Sequence, residues 1–382
     1  MQPIPTTSPE PSPTGDAVGP APPTVRSPVG SAAHAPIRQT PDAPSDRRPL
    51  LEVDDLVTYF ELEEGTVRAV DSVSFRLQRG ETLGIVGESG CGKSVTALSI
   101  LNVVPWPGRI VSGKILLHTP DDGVVDLAGL SPFGREIRAV RGKQISMIFQ
   151  EPMEALSPLY TIGYQITEGM LLHHRSWTPQ DARARAVTLL REVGIPSPEK
   201  RLDSYTFQLS GGMRQRAMIA MALACNPRLL IADEPTTAVD VTIQAQILEL
   251  LRRLQRQYGM SMIMISHDLG VIAHLCDRVI VMYLGKVVEE GRFVDVYDDP
   301  LHPYTQALLE SIPRIGERSR RRLQAIAGTV PDPYTRPAGC YFEPRCEQAQ
   351  HDRCEVRQPS LATTRGRQVR CVLYGSGDHG DG

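Results

Sequence analysis

The chain has 382 residues, 41% of them hydrophobic and 22% charged, with a formal net charge of -3. That length can bury a substantial core in two or three domains, and a nearly neutral balance carries no electrostatic footprint for nucleic acid, so none is expected as a partner. The longest apolar run, MIAMALAC at 218–225, falls well short of the roughly 20 residues that cross a bilayer.

Residues 1–48 hold 12 of the 32 prolines together with many Ser, Thr, Ala and Gly and almost no large apolar side chains. A disordered extension is expected there. It offers no basic start followed by an apolar h-region, so no secretory signal is read and the chain is expected to stay in the cytosol. The basic run ERSRRR at 317–322 reads as a solvated linker rather than a contact for anionic lipid.

Organised sequence begins with LLEVDDLVTYF at 50–60 and AVDSVSFRL at 69–77, two half-alternating runs that predict strands. TLGIVG follows as a buried strand and runs into GESGCGKS at 87–94, which opens the helical stretch SVTALSILNVV. Strand, glycine turn and helix are the setting a P-loop requires. Gly87, Gly90 and Gly92 let backbone N–H groups converge on phosphate oxygens, where a helix N-terminus adds positive potential. Lys93 is expected to reach the β- and γ-phosphates of a bound nucleotide and Ser94 to ligate Mg²⁺, with Glu88, Ser89, Cys91 and Val95 completing the cradle. Cys91 occupies a variable position and is given no redox role.

Such a loop needs an acidic partner for the metal, and LLIADEP at 229–235 supplies one at the end of a second apolar strand. Asp233 fits the Mg²⁺-side carboxylate, and Glu234, one residue on, is placed to orient or deprotonate an attacking water. QISMIFQ ends at Gln150 and SMIMISH at His267, two more strands with a polar residue at the end. That shared position points Gln150 and His267 toward phosphate rather than toward the core.

LSGGMRQR at 209–216 then stands just before the apolar helix AMIAMALAC and some twenty residues before Asp233. With it the chain resembles the ATP-binding-cassette (ABC) ATPases: the P-loop, Gln150, the signature at 209, the acidic pair, TTAVD at 236–240 and His267 follow that family's order. The resemblance implies an α/β P-loop cassette over residues 49–295, a mixed core sheet with an antiparallel β subdomain and a helical subdomain at about 151–215. It implies that Ser210, Gly211 and Gly212 complete the site of a second cassette, that Gln150 senses the metal and touches a membrane partner, that His267 is the switch histidine, and that Asp240 belongs to the site. Tyr59 would stack on adenine, with a core-facing strand residue as the plain alternative and Phe60 as a substitute. Val239 stands where the family more often has Leu.

Within the family the chain is most similar to ATPase subunits of dipeptide and oligopeptide importers, on FQEPMEALSP at 149–158, the run 209–248 and DDPLHPYTQALLESIP at 298–313. Met213 is similar to the D-type member of a D/F pair. The resemblance thus implies an F-type ATPase partner, two permease subunits, an extracytoplasmic solute-binding protein and a place on the cytoplasmic face of a bacterial membrane. Peptide is the expected cargo; nickel, oligosaccharide or haem, and a soluble ABC ATPase outside transport, are the alternatives.

Four of the seven cysteines, Cys340, Cys346, Cys354 and Cys371, lie between residues 340 and 371. Their spacing, C-x5-C-x7-C-x16-C, has neither the C-x2-C pairs of many zinc sites nor a standard ferredoxin run, so spacing leaves the metal open. A reducing cytosol argues against disulfides. The tail resembles the cysteine-bearing C-terminal region of peptide-importer ATPases, which implies a [4Fe–4S] cluster, with Zn²⁺ as the alternative, in a small cysteine-rich domain over 296–382.

Overall fold

Strands buried on both faces need apolar residues at consecutive positions, and their alternate side chains must then serve two different cores. The computed structural model, which describes residues 48–119, 123–237, 240–311 and 326–374, is built on this rule. The chain runs β1 (Leu51–Leu62), β2 (Gly65–Leu77), β3 (Thr82–Val86), α1 (Lys93–Ile100), β4 (Gly108–His118), β5 (Val124–Asp126), α2 (Arg135–Val140) and β6 (Ile145–Ile148). Helices α3 (Pro152–Ala155), α4 (Ile162–His173), α5 (Pro179–Glu192), α6 (Pro198–Arg201) and α7 (Gly211–Ala222) follow, then β7 (Leu229–Asp233), α8 (Val241–Tyr258), β8 (Ser261–Ser266), α9 (Leu269–Leu275), β9 (Arg278–Tyr283) and β10 (Lys286–Arg292). The chain continues through α10 (Phe293–Asp298), α11 (Pro303–Glu310), α12 (His351–Cys354), β11 (Ala362–Thr364) and β12 (Arg367–Val369).

Two sheets result. The antiparallel one has the order β2-β1-β4-β5, and the larger one the order β11-β12-β10-β9-β3-β8-β7-β6. In the larger sheet β9, β3, β8, β7 and β6 are parallel, and β10 and the β11–β12 hairpin join antiparallel. Leu229, Ile231, Ile263, Ile265, Ile280 and Met282 pack toward the antiparallel sheet, with α1 between. Leu230, Ala232, Met262, Met264, Val279 and Val281 pack toward the helices on the other face. That second core runs on without a break into Ile162, Ile166, Met170, Ala186, Leu189 and Leu190 of α4 and α5, so the helical subdomain is seated on the sheet through α7.

The cassette, its β subdomain and its helical subdomain therefore have the expected composition. A separate cysteine-rich domain over 296–382 is not shown. The described residues cluster as one compact unit, because β12 pairs with β10 at Glu289 and Glu290 and so adds the described part of the tail to the core sheet. Arg367 ties the same edge, donating to Glu289 and to the carbonyls of Asp295 and Asp299. Arg336 and Tyr341 reach across to Asp71 at the end of the antiparallel sheet, where Lys286 also binds. The proline-rich extension and the ERSRRR run lie outside the described residues, as does Val239.

Candidate active site

Parallel strands deliver their successors to one edge, and ligands in such sheets bind beyond the carboxyl ends of the strands. The P-loop leaves β3, Gln150 follows β6, Asp233 ends β7 and His267 follows β8. Four distant sequence segments therefore converge.

The loop's shape depends on glycine at two points. Gly87 has φ +150° and a Cβ there would meet the Met282 carbonyl oxygen at 2.2 Å; Gly92 has φ +100° and would meet that of Ala69 at 2.1 Å. No other residue fits either position. Cys91 is buried beneath the turn and burial pushes its thiol up, in keeping with a packing role. Ser89 and Gly90 are exposed at the loop's crest, and Val95 packs on the core under α1. Lys93 Nζ, nearly buried, donates to the carbonyls of Gly87 at 2.8 Å and Glu88 at 3.1 Å. The ammonium is thus held inside the loop by the loop's own backbone.

Asp233 is 4% exposed, and its Oδ1 is buried without a hydrogen-bond partner. Burial, with help from the adjacent Glu234, pushes its carboxyl above the usual range, against the Ser94 hydroxyl bond and Lys93. An orphaned buried carboxylate oxygen beside a serine hydroxyl fits a hard divalent cation such as Mg²⁺.

Glu234 sits at φ +45°, a costly backbone for a non-glycine residue. Its N–H donates to the Ile265 carbonyl of β8. The carboxylate is then met by three side chains: His267 Nδ1 at 3.1 Å on Oε1, and Gln150 Nε2 at 3.2 Å and Thr237 Oγ1 at 3.1 Å on Oε2. Sequence reasoning brought Gln150, Glu234 and His267 to the same edge but did not single out Thr237. It also missed Gln215, which is buried on α7 and donates through Nε2 to the Pro235 carbonyl at 2.6 Å. Gln215 stands between Arg214 and Arg216 ahead of the apolar run, so no local pattern marks it as buried.

Ser210 is the N-cap of α7, its hydroxyl accepting from the Met213 N–H, and Ser210 and Gly211 are exposed. Among the described residues no hydrogen bond joins 210–212 to 87–94. Asp240 caps α8, accepting from the N–H groups of Thr242 and Ile243. Tyr59 is half-buried on β1 with the Arg68 guanidinium over one face of its ring, 5.6 Å from the centroid. Phe60 lies against Gly108, which leaves Tyr59 as the better-placed ring.

Residues 70–237 match the ABC transporter family, and residues 288–354 match the oligopeptide/dipeptide transporter C-terminal region. The chain is 51% identical over 329 residues to the oligopeptide transport ATP-binding protein AppD of Bacillus subtilis, covering 85% of this chain and 97% of that one. The chain belongs to the ATP-binding subunits of peptide-importing ABC transporters. The importer subunit is also 47% identical over 323 residues to the dipeptide transport ATP-binding protein DppD of Escherichia coli, covering 84% of this chain and 96% of that one. Its fold is similar to the dimeric ABC transporter cassette MJ0796, with TM-score 0.56 and 26% identity over 64% of this chain and 98% of that one. The importer subunit is an ATPase.

One expectation is overturned. The importer subunit's relatives are known as peptide-transport ATP-binding proteins, not as iron–sulfur proteins, and the match to their C-terminal region ends at Cys354, leaving Cys371 outside. Cys340, Cys346, Cys354 and Cys371 form no disulfide: Cys340 and Cys346 pack against the helical core, Cys371 against Leu301 and Val369, and the Cys354 Sγ accepts the Gln350 N–H at 3.4 Å. Burial pushes the Cys340 and Cys371 thiols up to about 11 and the Cys346 thiol upward. Among the described residues, Glu343, His351 and Glu355, rather than the cysteines, bring their ligand atoms within 4.8 Å of one another.

Proposed function

We propose that this subunit uses the edge built by 87–94, Gln150, Asp233, Glu234 and His267 to hydrolyse ATP and so drive uptake of di- and oligopeptides. The three-sided grip on the Glu234 carboxylate carries the reading. An unconstrained glutamate would sample many rotamers; this one is fixed by Gln150, His267 and Thr237, with its backbone strained into place. Such a carboxylate is suited to orient a water and accept its proton as the bond to the γ-phosphate breaks. Lys93 would leave its carbonyl partners for the β- and γ-phosphates. Ser94 and Asp233 would hold Mg²⁺, which supplies charge neutralisation on the phosphate oxygens, and Tyr59 would offer its free face to adenine.

Ser210, Gly211 and Gly212 would complete the site of a second cassette, using the exposed start of α7 against the γ-phosphate. An F-type subunit is the cassette expected from the sequence. The D-type relatives lend that choice no weight, and the dimeric MJ0796 cassette makes a second copy the other arrangement to test. ATPase assays of this chain alone, and with candidate cassettes added, identify the one that raises turnover.

Two permeases and a binding protein follow from the importer reading, since among the described residues no helix is long and apolar enough to cross a membrane. The helical subdomain supports a permease contact. Tyr160 and Tyr164 stack at 4.7 Å, Tyr205 and Phe207 at 5.6 Å, and the Thr161–Tyr205 bridge sets the two pairs side by side, both exposed. An exposed aromatic patch of this kind marks a protein contact; docked there on a permease, the subunit would lie on the cytoplasmic face of the membrane. Relatives named for peptides favour peptide over nickel, haem or oligosaccharide as cargo. Uptake of labelled dipeptide by vesicles holding the assembled transporter, with and without ATP, tests this.

A further inference from the structure

The HPYT segment and the tail meet the phosphate loop at one residue. Glu88, second in the loop, gives its backbone N–H to the Tyr304 hydroxyl at 2.8 Å. Its carboxylate receives both Nη atoms of Arg345, at 2.8 and 3.1 Å. Arg345 lies between two of the tail cysteines, its side chain only 4% exposed, and is itself fixed by the Ala327 carbonyl and the Tyr283 hydroxyl. Tyr304 is fully buried and packs with Tyr283 and Phe342 in one aromatic group. His302 starts that helix, accepting the Tyr304 N–H, and Glu289 accepts the N–H groups of Leu301 and His302. From the other side, Lys93 Nζ donates to the Glu88 carbonyl. Backbone donor, backbone acceptor and side chain of one loop residue are therefore all engaged, two of them by elements outside the core cassette.

A paired arginine and carboxylate of this geometry is among the strong charge-assisted contacts, and here it is largely shielded from water. A glycine-rich loop that is free before binding must be ordered by its ligand, which weakens affinity. We propose that Arg345, with Tyr304, is a positioning residue for ATP: the tail clamps Glu88 and pre-organises the phosphate loop before nucleotide arrives. The proposal rests on the assignment of 87–94 as the phosphate cradle. It gives the tail a task in the ATPase cycle and accounts for the tyrosine of the HPYT segment.

The test is Mg-ATP binding to the full-length chain by titration calorimetry, for wild type, Arg345→Met, Glu88→Gln, the double variant and Arg345→Lys, each checked by thermal melting without nucleotide. A clamp predicts that Arg345→Met and Glu88→Gln each raise Kd about tenfold, the scale of a lost charged hydrogen bond, and that the double variant is no weaker than either. Arg345→Lys keeps the charge and should recover part of the loss. In the assembled transporter, Arg345→Met should raise KM for ATP far more than it lowers kcat. Wild-type affinity in Arg345→Met, or additive losses in the double variant, would overturn the clamp and leave Arg345 a structural residue. Should Arg345→Met not fold, Glu88→Gln and Arg345→Lys decide on the same scale. A wild-type chain that did not bind Mg-ATP would instead refute the cradle assignment.

Discussion

His267 Nδ1 lies 3.1 Å from Glu234 Oε1, joining the ends of β8 and β7 across the edge where the γ-phosphate is proposed to sit. The histidine is more than half exposed and the glutamate nearly buried. His267 can therefore move without disturbing the core, while Glu234 stays in place.

This division predicts a specific loss at Glu234. Glu234→Gln should keep the carboxylate's shape and its contact with Thr237, retain Mg-ATP binding, and lower kcat by about 10² to 10⁴ because the proton acceptor is gone. Single-turnover hydrolysis by the assembled transporter, beside equilibrium binding, measures both. A wild-type rate in this variant would remove Glu234 from its assigned role.

Asp233→Asn should abolish the dependence of ATP binding on Mg²⁺ while raising the melting temperature of the empty chain. A buried carboxylate with an unpartnered oxygen, held above its usual range, costs stability when ionised, and an amide removes that charge. Melting curves with and without Mg-ATP check this; a lower melting temperature without nucleotide would contradict the argument.

Ser210→Arg tests the composite site. The residue is exposed and its hydroxyl bond to Met213 is long, 3.4 Å, so the loss of the cap should cost only about 1 kcal/mol. Turnover in the assembled transporter should nevertheless fall at least tenfold, because a bulky side chain at the start of α7 would block a facing cassette. Unchanged turnover would place the second cassette elsewhere.

His302 predicts a pH effect. Complete burial, with Arg370 adding repulsion, lowers its pKa from 6.5 to about 3. The depressed value means that the neutral form is the folded one. Its contribution to stability is fully present above pH 6.5 and declines as pH falls from 6.5 toward 3, where the unfolded chain takes up a proton and the folded chain does not. Denaturant unfolding between pH 7 and 5 should show wild type losing stability faster than His302→Asn, which retains an acceptor for the Tyr304 N–H. Parallel curves for the two proteins would exclude this histidine as the source.

The chemistry of the site was legible in the sequence wherever it depends on local constraints. Gly87, Gly92, Lys93 and Ser94 are dictated within eight residues, since only that spacing turns backbone N–H groups and an ammonium toward one phosphate. The strands before Gln150, Asp233 and His267 were legible too, because a strand buried on both faces must be apolar throughout. Contacts between residues far apart in the chain were not. The hold of Gln150, Thr237 and His267 on Glu234, and of Gln215 on Pro235, depends on which strands lie side by side, which pairing of backbone edges decides and no local pattern records. The tail shows the same limit. The resemblance of the tail that bears Cys340, Cys346, Cys354 and Cys371 implied a domain of its own, but β12 pairs with β10 and Arg345 reaches Glu88 from 257 positions away. Such a contact costs loop-closure entropy that only the whole folded core offsets, so the tertiary structure alone could establish it.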